Sequence, residues 1–227
     1  NIDAIIHCAA IAHDLKFFSK NKKIIDNVNV QLTDKIIDEC IKFKIKKFIY
    51  ISSAKVIGDV TTQSNQFNER TKENPQDLYS ISKFRAENLL KIKCKKYNIN
   101  LIIIRPPLIY GPGVKANFYN LMKYINKGYP LPFLGVKNKR SLISYDNLNS
   151  FIEKCINNNK IKNEKFVVSD GKDISIEDLV ISLSNSLNKK AQLFYIPKFI
   201  SSVLLQNINA IYYNKLFGSF ELDISKA

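Results

Sequence analysis

The sequence predicts a doubly wound parallel α/β sheet. Two observations support this prediction: apolar runs of strand length alternate with longer helical patterns, and Pro and Gly residues mark the points where the alternation stops. Strand–helix–strand units of this kind form parallel sheets with right-handed crossovers. The 227 residues suffice for one domain of ordinary size, or for a large and a small lobe, and a hydrophobic content of 45% suffices for a core.

The first half of the chain supplies most of the predicted sheet. Apolar runs predict buried strands over Ile2–Cys8, Lys47–Ser52 and Asn100–Arg105. Helices are predicted between them, over Lys22–Phe43 and Gln76–Tyr97. The apolar stripe of the first helix consists of Ile25, Val28, Leu32, Ile36 and Cys40.

Beyond Tyr110 the pattern changes. We expect residues 1–110 to form most of the parallel sheet with its helices, and residues 111–227 to form mainly a smaller lobe interleaved with the last sheet elements. The predicted helices of the second part are Ala116–Asn126, Asp146–Asn157, Ile176–Leu187 and Phe199–Leu216. The predicted strands are Lys165–Val168 and Ala191–Ile196. Ser175 is the expected N-cap of the third helix.

The most informative spacing joins Ser53, Tyr79 and Lys83. Ser53 follows a predicted strand, and the other two residues stand four apart on a predicted helix, so their side chains share one face. A tyrosine acts as an acid or base near neutral pH when a neighbouring cation lowers its pKa from about 10. Lys83 supplies that charge, and a serine hydroxyl shares the proton in transit. We therefore expect these three residues to be catalytic, with Ser52 as a competing serine.

The segments around these residues resemble the short-chain dehydrogenase/reductase superfamily, in its extended branch of NAD-dependent nucleotide-sugar epimerases and dehydratases. The matching segments are DAIIHCAA, NVQLT, FIYISSAKVIGD, LYSISKFRAE, RPPLIYGPGVKANF and NKRSLISYDNL, in family order. This set is far more specific than a Tyr-x-x-x-Lys spacing alone. The resemblance implies a Rossmann-type fold, with a partial dinucleotide-binding domain over residues 1–110 and mainly a substrate-binding lobe over residues 111–227. It also implies NAD, or NADP, as cofactor.

The resemblance also implies roles for single residues. Asn29 matches a catalytic-site asparagine that fixes the backbone, and Asn27 is a competing match because Val28 follows it. Asn117 and Arg140 match residues that bind the substrate near its diphosphate, for which a guanidinium is suited. The residues that the resemblance places beside the cofactor are Ala9, Ala10, Ser52, Tyr79, Lys83 and Pro106.

Members of this branch begin with a strand, a glycine-rich turn and a helix that hold the dinucleotide pyrophosphate. The first glycine of this sequence is Gly58, so the sequence corresponds to an N-terminally truncated version of the family fold. We expect such a chain to bind NAD weakly by itself. A truncated, non-catalytic binding module is therefore the alternative from another functional class.

One departure from the family pattern concerns the reaction. Dehydratases of the branch carry an Asp-Glu pair just after the serine, where this sequence has Ala54 and Lys55, so dehydration is disfavoured. The resemblance implies NAD(P)-dependent epimerisation at C4 of a UDP-sugar, either UDP-glucose or a UDP-N-acetylhexosamine, for surface polysaccharide synthesis. The alternative within this class is a 4-keto sugar-nucleotide reductase or dehydrogenase. A cytoplasmic homodimer is expected.

Charge and composition argue against other classes of function. The net charge is +15, but the lysines are scattered and aromatic residues do not alternate with them, so we expect a solvated basic surface and no nucleic-acid partner. No run of 18 apolar residues occurs, so membrane insertion is not expected. The two histidines lack partners for a metal site, and His7 is expected to be structural. Buried free thiols are expected for the four cysteines, among which Cys8 and Cys40 lie in apolar segments.

Overall fold

The computed structural model describes residues 2–12, 21–62, 65–197 and 216–227 of the chain. Within these residues, four parallel strands form one sheet in the order β1-β2-β3-β6. The strands are β1 (Ala4–His7), β2 (Lys47–Ile51), β3 (Asn100–Arg105) and β6 (Glu164–Val167). This confirms the predicted parallel α/β sheet. A second, two-stranded parallel sheet pairs β4 (Leu108–Tyr110) with β5 (Leu142–Ser144), and the sequence patterns did not predict it.

Helices connect the strands. They are α1 (Lys22–Asp26), α2 (Leu32–Lys42), α3 (Leu78–Lys96), α4 (Ala116–Asn126), α5 (Tyr145–Asn157) and α6 (Ile176–Ser186). A five-residue π-helical segment, Asn27–Gln31, joins α1 to α2, and a short 3₁₀ helix, Ala54–Val56, follows β2. The helices of the second half agree with their predicted bounds to within a residue, and the Ser175 hydroxyl caps α6 by accepting from the Asp178 backbone at 3.0 Å.

The sheet is buried on both faces because its strands alternate apolar side chains between two cores. On one face the strands pack against α2 and α3, and on the other they pack against α5. The first core includes Phe48, Tyr50, Leu101, Ile103, Ile37, Cys40 and Leu90. The second core includes Ile49, Ile102, Ile104, Leu148, Cys155 and Phe166. Strand β1 is less buried than predicted, since Ile6 is 41% exposed.

The π-helical segment changes which side chains of the first helix point inward. Leu32, from the predicted apolar stripe, is 37% exposed, whereas the polar residues Asn29 and Thr33 are fully buried. A π-helical turn holds more residues than an α-helical turn, so the inner face moves along the sequence where the segment interrupts the helix. The predicted stripe was therefore wrong at its centre and right at its ends, Ile25 and Cys40.

The second half of the chain contributes both to the sheet and to a separate core. Strand β6 pairs with β3, whereas α4 and α6 pack together over a core of Ile125, Leu131, Phe133, Ile176 and Val180. The division at residue 111 stays a prediction. The predicted strand Ala191–Ile196 was wrong, because the segment forms only a single bridge, between Leu193 and Leu131. The predicted helix Phe199–Leu216 lies almost entirely outside the described residues, as does His13.

The cysteines are free thiols, and three of them are buried as predicted, but Cys8 is exposed at the end of β1. The prediction of a buried Cys8 was wrong because the apolar strand ends one residue earlier, at His7. In the part of the chain that the structure describes, no helix combines the length and the apolar character needed to cross a membrane.

Candidate active site

The predicted site residues gather at the carboxyl edge of the parallel sheet. Ala9 and Ala10 follow β1, Ser53 follows β2, and Pro106 follows β3. The strands are in register, with His7 opposite Tyr50 and Ile51 opposite Ile104, so these three connections leave the sheet at the same edge. In open α/β sheets this is the edge that binds ligands.

Helix α3 brings Tyr79 to Ser53. The helix is capped by Asp77, whose side chain accepts from the Ser80 backbone at 2.8 Å, and this cap places Tyr79 in the first turn. Ser53 is itself buried and caps the short 3₁₀ helix by accepting from the Lys55 backbone at 3.2 Å. Burial raises the pKa of Tyr79 to about 12, a hydrogen bond with the Ser53 side chain lowers it, and the charge of Asp77 adds to the rise. The structure therefore brings the predicted serine and tyrosine together.

Lys83 lies one helical turn after Tyr79 and is only 1% exposed. Its Nζ sits over the ring of Tyr50, 4.4 Å from the ring centroid. Burial lowers the pKa of Lys83 to about 8, although the nearby Cys8 and Glu87 oppose this change. In this structure burial holds the pKa of Tyr79 above that of a free tyrosine, and the lowering of that pKa by Lys83 stays a prediction. With a pKa of about 8, Lys83 is still mostly protonated at neutral pH and keeps its positive charge.

Asn29 connects three parts of the site. Its Oδ1 accepts from the Ile11 backbone at 2.8 Å, and its Nδ2 donates to the Ile11 carbonyl at 3.1 Å and to the Ser82 hydroxyl at 2.9 Å. The carbonyl of Asn29, in the π-helical segment, accepts from the hydroxyl of Thr33, in α2, at 2.9 Å. Asn27, the competing match, is exposed. Asn29 therefore holds the chain after β1 against α3, next to Tyr79.

Ser52 belongs to the interior. Its hydroxyl donates to Glu87 at 2.6 Å, and Glu87 also accepts from Arg105 at 2.9 and 2.6 Å. Arg105 is fully buried and makes a further ion pair with Glu73 at 2.8 Å. The Ser52 hydroxyl thus points to Glu87 in this buried cluster, and the placement of Ser52 beside the cofactor stays a prediction. Arg105 therefore has a structural role at the end of β3.

The small residues at the same edge differ in exposure. Ala9 is exposed and Ala10 half-buried, so the backbone after β1 is open to a ligand. Pro106 is buried, and its carbonyl accepts from the Ala54 backbone at 2.9 Å. Pro106 therefore joins the connection after β3 to the one after β2.

The two predicted substrate residues come from the second half of the chain. Asn117 is exposed in the first turn of α4. Arg140 donates through Nη1 to the Gly218 carbonyl at 2.9 Å, and burial lowers its pKa while the charge of Asp59 raises it. Among the described residues, Arg140 forms no ion pair with a carboxylate.

Lys55 forms ion pairs with two acidic residues. It stands where dehydratases of the family carry a carboxylate. Its Nζ contacts Asp77 and lies 3.2 Å from Asp59. The pKa of Asp77 is lowered, because Lys55 and the Ser80 backbone outweigh the effect of burial. The ion pair links the 3₁₀ helix after Ser53 to the cap of α3, and so fixes Ser53 relative to Tyr79.

Four residues of the site were not assigned to it from the sequence. Tyr50 lies under Lys83, Ser82 and Thr33 bond to Asn29, and Glu87 holds Ser52. Ser82 and Glu87 could have been found by their spacing, since they share the turns of α3 that carry Tyr79 and Lys83. Within residues 2–12, 21–62, 65–197 and 216–227, no three His, Cys, Asp or Glu side chains cluster as metal ligands would.

Comparisons with known proteins agree with this geometry. The model of the NAD dependent epimerase/dehydratase family matches residues 1–169. A UDP-glucose 4-epimerase from Vibrio cholerae is 36% identical over 224 residues, which cover 98% of this chain and 66% of that protein. The N-acetyl-α-D-glucosaminyl-diphospho-ditrans,octacis-undecaprenol 4-epimerase from Escherichia coli O157:H7 is 30% identical over 75% of this chain and 51% of its own. The chain thus spans about two thirds or less of the length of these relatives.

The fold also resembles that of a solved structure. The UDP-glucuronic acid 4-epimerase from Bacillus cereus, solved with UDP-glucuronic acid and NAD, superposes with a TM-score of 0.79 at 23% identity, over 99% of this chain and 68% of that one. Because the family model matches residues 1–169 and the Vibrio protein is 36% identical, the chain belongs to the NAD dependent epimerase/dehydratase family.

Proposed function

We propose that this chain carries the catalytic residues for NAD-dependent epimerisation at C4 of a sugar diphosphate, with UDP-glucose or a UDP-N-acetylhexosamine as substrate. The observation that carries the proposal is the meeting of Ser53, Tyr79 and Lys83 at the carboxyl edge of the sheet. Two relatives of the chain are 4-epimerases by name, and both names contain a sugar attached to a diphosphate.

Tyr79 is the proposed acid and base. With a pKa of about 12 the phenol is protonated at neutral pH, so it is ready to donate a proton or a hydrogen bond to a substrate oxygen. Removal of the C4 hydroxyl proton requires the opposite transfer, to a phenolate. Ser53 assists this step, because its hydrogen bond to Tyr79 lowers the pKa of the phenol.

The residues at the sheet edge fit the nicotinamide end of a dinucleotide. Ala9 and Ala10 have small side chains at an accessible position, and Lys83 supplies an ammonium group for ribose hydroxyls. NAD, if held by Ala9, Ala10 and Lys83, would supply a reversible hydride acceptor for C4. Lys83 and Tyr79 orient the reacting centre, and Asn29 holds the backbone of Ile11 beside it.

Asn117 and Arg140 are the proposed substrate residues. An arginine without a carboxylate partner among the described residues is suited to a diphosphate, because its guanidinium presents several donors in one plane. We propose that Arg140 binds this group at a distance from the C4 chemistry. A cytoplasmic location, a homodimeric state and a role in surface polysaccharide synthesis stay predictions.

The second candidate is the 4-keto reductase or dehydrogenase, which uses the same three residues but does not return the hydride to the same sugar. A non-catalytic binding module is the third. The raised pKa of Tyr79 and the lowered pKa of Lys83 favour an enzyme, because such groups in an accessible edge are typical of reactive sites.

The test is to incubate the protein with UDP-glucose or UDP-N-acetylglucosamine and an excess of NAD, because weak NAD binding is expected for this chain. The C4 configuration is followed by proton NMR. Epimerisation yields the C4 epimer without net change in NADH absorbance, whereas a reductase or dehydrogenase changes that absorbance. Tyr79→Phe should lower the rate by about 10²–10⁴-fold. Tyr97→Phe, an exposed tyrosine at the end of the same helix, is the control and should leave the rate unchanged.

Two further variants separate cofactor binding from substrate binding. Lys83→Ala should lower turnover and weaken NAD binding, whereas Arg140→Ala should mainly weaken binding of the UDP-sugar. Conversion that continues at the normal rate in Tyr79→Phe would contradict the proposal and favour the binding module.

A further inference from the structure

One segment in the second half of the chain carries only positive charges. From Gly111 to Tyr145 the sequence contains six cations and neither Asp nor Glu. The cations are Lys115, Lys123, Lys127, Lys137, Lys139 and Arg140. This stretch includes all of α4 and the turn after it. The segment therefore carries a local excess of positive charge.

Helix α4 presents tyrosines and a lysine on its outer face. Its inner side is buried through Phe118 and Ile125, whereas Tyr119 is 54% and Tyr124 46% exposed. Lys123 is also exposed and lies one turn after Tyr119, so the two share the outer face. A half-exposed ring on a helix surface leaves apolar area in contact with water.

The turn after α4 extends this surface. The rings of Tyr124 and Tyr129 lie 5.9 Å apart between centroids, and Lys127 Nζ lies 5.8 Å from the Tyr129 centroid. Tyr129 is 49% exposed. We define the tyrosine–lysine face as Tyr119, Lys123, Tyr124, Lys127 and Tyr129. Among the residues with described positions, no carboxylate lies within ion-pair distance of either lysine of this face.

More apolar side chains are exposed next to it. The segment after Tyr129 pairs with the chain near residue 194, where the Leu134 backbone donates to the Phe194 carbonyl at 3.3 Å. Leu134 and Phe194 are 44% and 43% exposed, and Tyr195 is 58% exposed. An acidic residue, Glu177, contacts the segment after Tyr129: its carboxylate accepts from the Gly135 backbone at 3.1 Å.

We propose that the tyrosine–lysine face is a docking surface for an anionic lipid bilayer. Lysines near a membrane attract anionic headgroups, and tyrosine rings sit at the boundary of headgroups and acyl chains, with an apolar body and a polar tip. The face is a helix exterior, which suits a flat partner. The protein would bind at the membrane surface, with Asn117 in the first turn of the same helix and so close to the bilayer.

A single-stranded nucleic acid is the competing partner, since it also takes lysines and aromatic rings. The face suits it less well. Base stacking needs free ring faces, whereas Tyr124 and Tyr129 pack on each other and Lys127 lies over Tyr129. The exposed Leu134 and Phe194 beside the face add apolar area, which favours lipid.

The test is flotation of the 227-residue chain with vesicles of phosphatidylcholine alone, or with about one third phosphatidylglycerol, at about 0.1 M and 0.5 M salt. We expect binding to the anionic vesicles only, and weaker binding at high salt. Lys123→Gln with Lys127→Gln should weaken that binding by roughly thirtyfold, because each lysine near such a surface contributes about fivefold. Tyr119→Ser, alone and with Tyr124→Ser and Tyr129→Ser, should weaken it further.

The matched control is the other exposed lysine–tyrosine pair, Lys96 and Tyr97, whose Nζ-to-centroid distance is 5.3 Å. Lys96→Gln with Tyr97→Ser should leave vesicle binding unchanged. Equal effects of the two sets, or no binding to anionic vesicles, would overturn the proposal. So would a poly(U) oligonucleotide that binds the face more tightly than the vesicles do. Tyr119→Ser retains the Tyr124–Tyr129 contact and remains informative if the triple variant does not fold. Because flotation needs no turnover, its outcome is independent of the proposed reaction.

Discussion

Asn29 and Ser82 are 53 residues apart in the sequence, and the Asn29 amide donates to the Ser82 hydroxyl at 2.9 Å. The Ser82 hydroxyl in turn donates to the Tyr79 carbonyl at 2.7 Å. A polar chain thus runs from the backbone of Ile11, after β1, through Asn29 to the first turn of α3. It ties the edge of the sheet to the helix that carries Tyr79, and its members lie on three separate elements.

Replacing Asn29 with Leu should destabilise this part of the fold. Leucine has a similar size but cannot bond to Ile11 or Ser82, so buried polar groups lose their partners at a cost of about 1–3 kcal/mol. The measurement is the free energy of unfolding in urea, together with hydrogen exchange of the Ile11 amide, which should become faster. Asn27→Leu, at the exposed position two residues earlier, is the control. Similar losses in both variants would contradict the assigned role of Asn29.

Glu87→Gln should be strongly destabilising. Glu87 and Arg105 are both fully buried and joined at 2.6 Å, so the substitution leaves the guanidinium with only the Glu73 carboxylate as a charged partner. Removal of one member of a buried ion pair typically costs about 3–5 kcal/mol. Urea unfolding measures the loss. The same substitution at Glu39, whose pair with Lys42 is exposed, should cost less than about 1 kcal/mol.

The His7 side chain should make the protein sensitive to mild acid. His7 is 3% exposed, its Nε2 lies 2.8 Å from the Thr33 hydroxyl, and burial, with the charge of Lys83, lowers its pKa from 6.5 to about 4. Between these two pH values the unfolded chain binds a proton at His7 and the folded chain does not. The contribution of His7 to the free energy of unfolding is therefore fully present above pH 6.5, and the free energy falls by about 3 kcal/mol as the pH drops to 4.

The measurement is the free energy of unfolding as a function of pH. His7→Gln keeps a polar group near Thr33 and cannot take up a proton, so its stability should vary less than that of the wild type between pH 6.5 and 4.5. His13→Gln, measured in parallel, removes the other histidine of the chain. An unchanged pH slope in His7→Gln would show that His7 does not cause the acid sensitivity.

Gly111→Ala should destabilise the connection between β4 and α4 more than Gly113→Ala does. Both glycines have positive φ, 151° and 75°. A Cβ at position 111 would lie 2.8 Å from the Tyr145 Cβ, whereas a Cβ at position 113 meets nothing within 4 Å. The second variant carries only backbone strain, about 1 kcal/mol, and the first adds an overlap of about 1–3 kcal/mol. Thermal unfolding of the two variants compares them directly, and equal midpoints would contradict the contact.

The sequence by itself determined the main elements and their order. Strands β2 and β3 are continuous apolar runs, and α3, α5 and α6 begin at the side-chain caps Asp77, Ser144 and Ser175, so their signals lie within a few neighbouring residues. The four-residue spacing of Tyr79 and Lys83 needs only a helix to place both side chains on one face. Strands β4 and β5 escaped prediction because three residues each are too few for a pattern.

The tertiary structure decided everything that depends on contacts between distant segments. It turned Ser53 toward Tyr79 and Ser52 toward Glu87, because adjacent residues at a strand end point to opposite sides. It selected Asn29 over Asn27, since the π-helical segment moves the inner face of the helix. It also raised the pKa of Tyr79 and lowered that of Lys83, because burial, which penalises a charged group, arises only when remote parts of the chain pack around it.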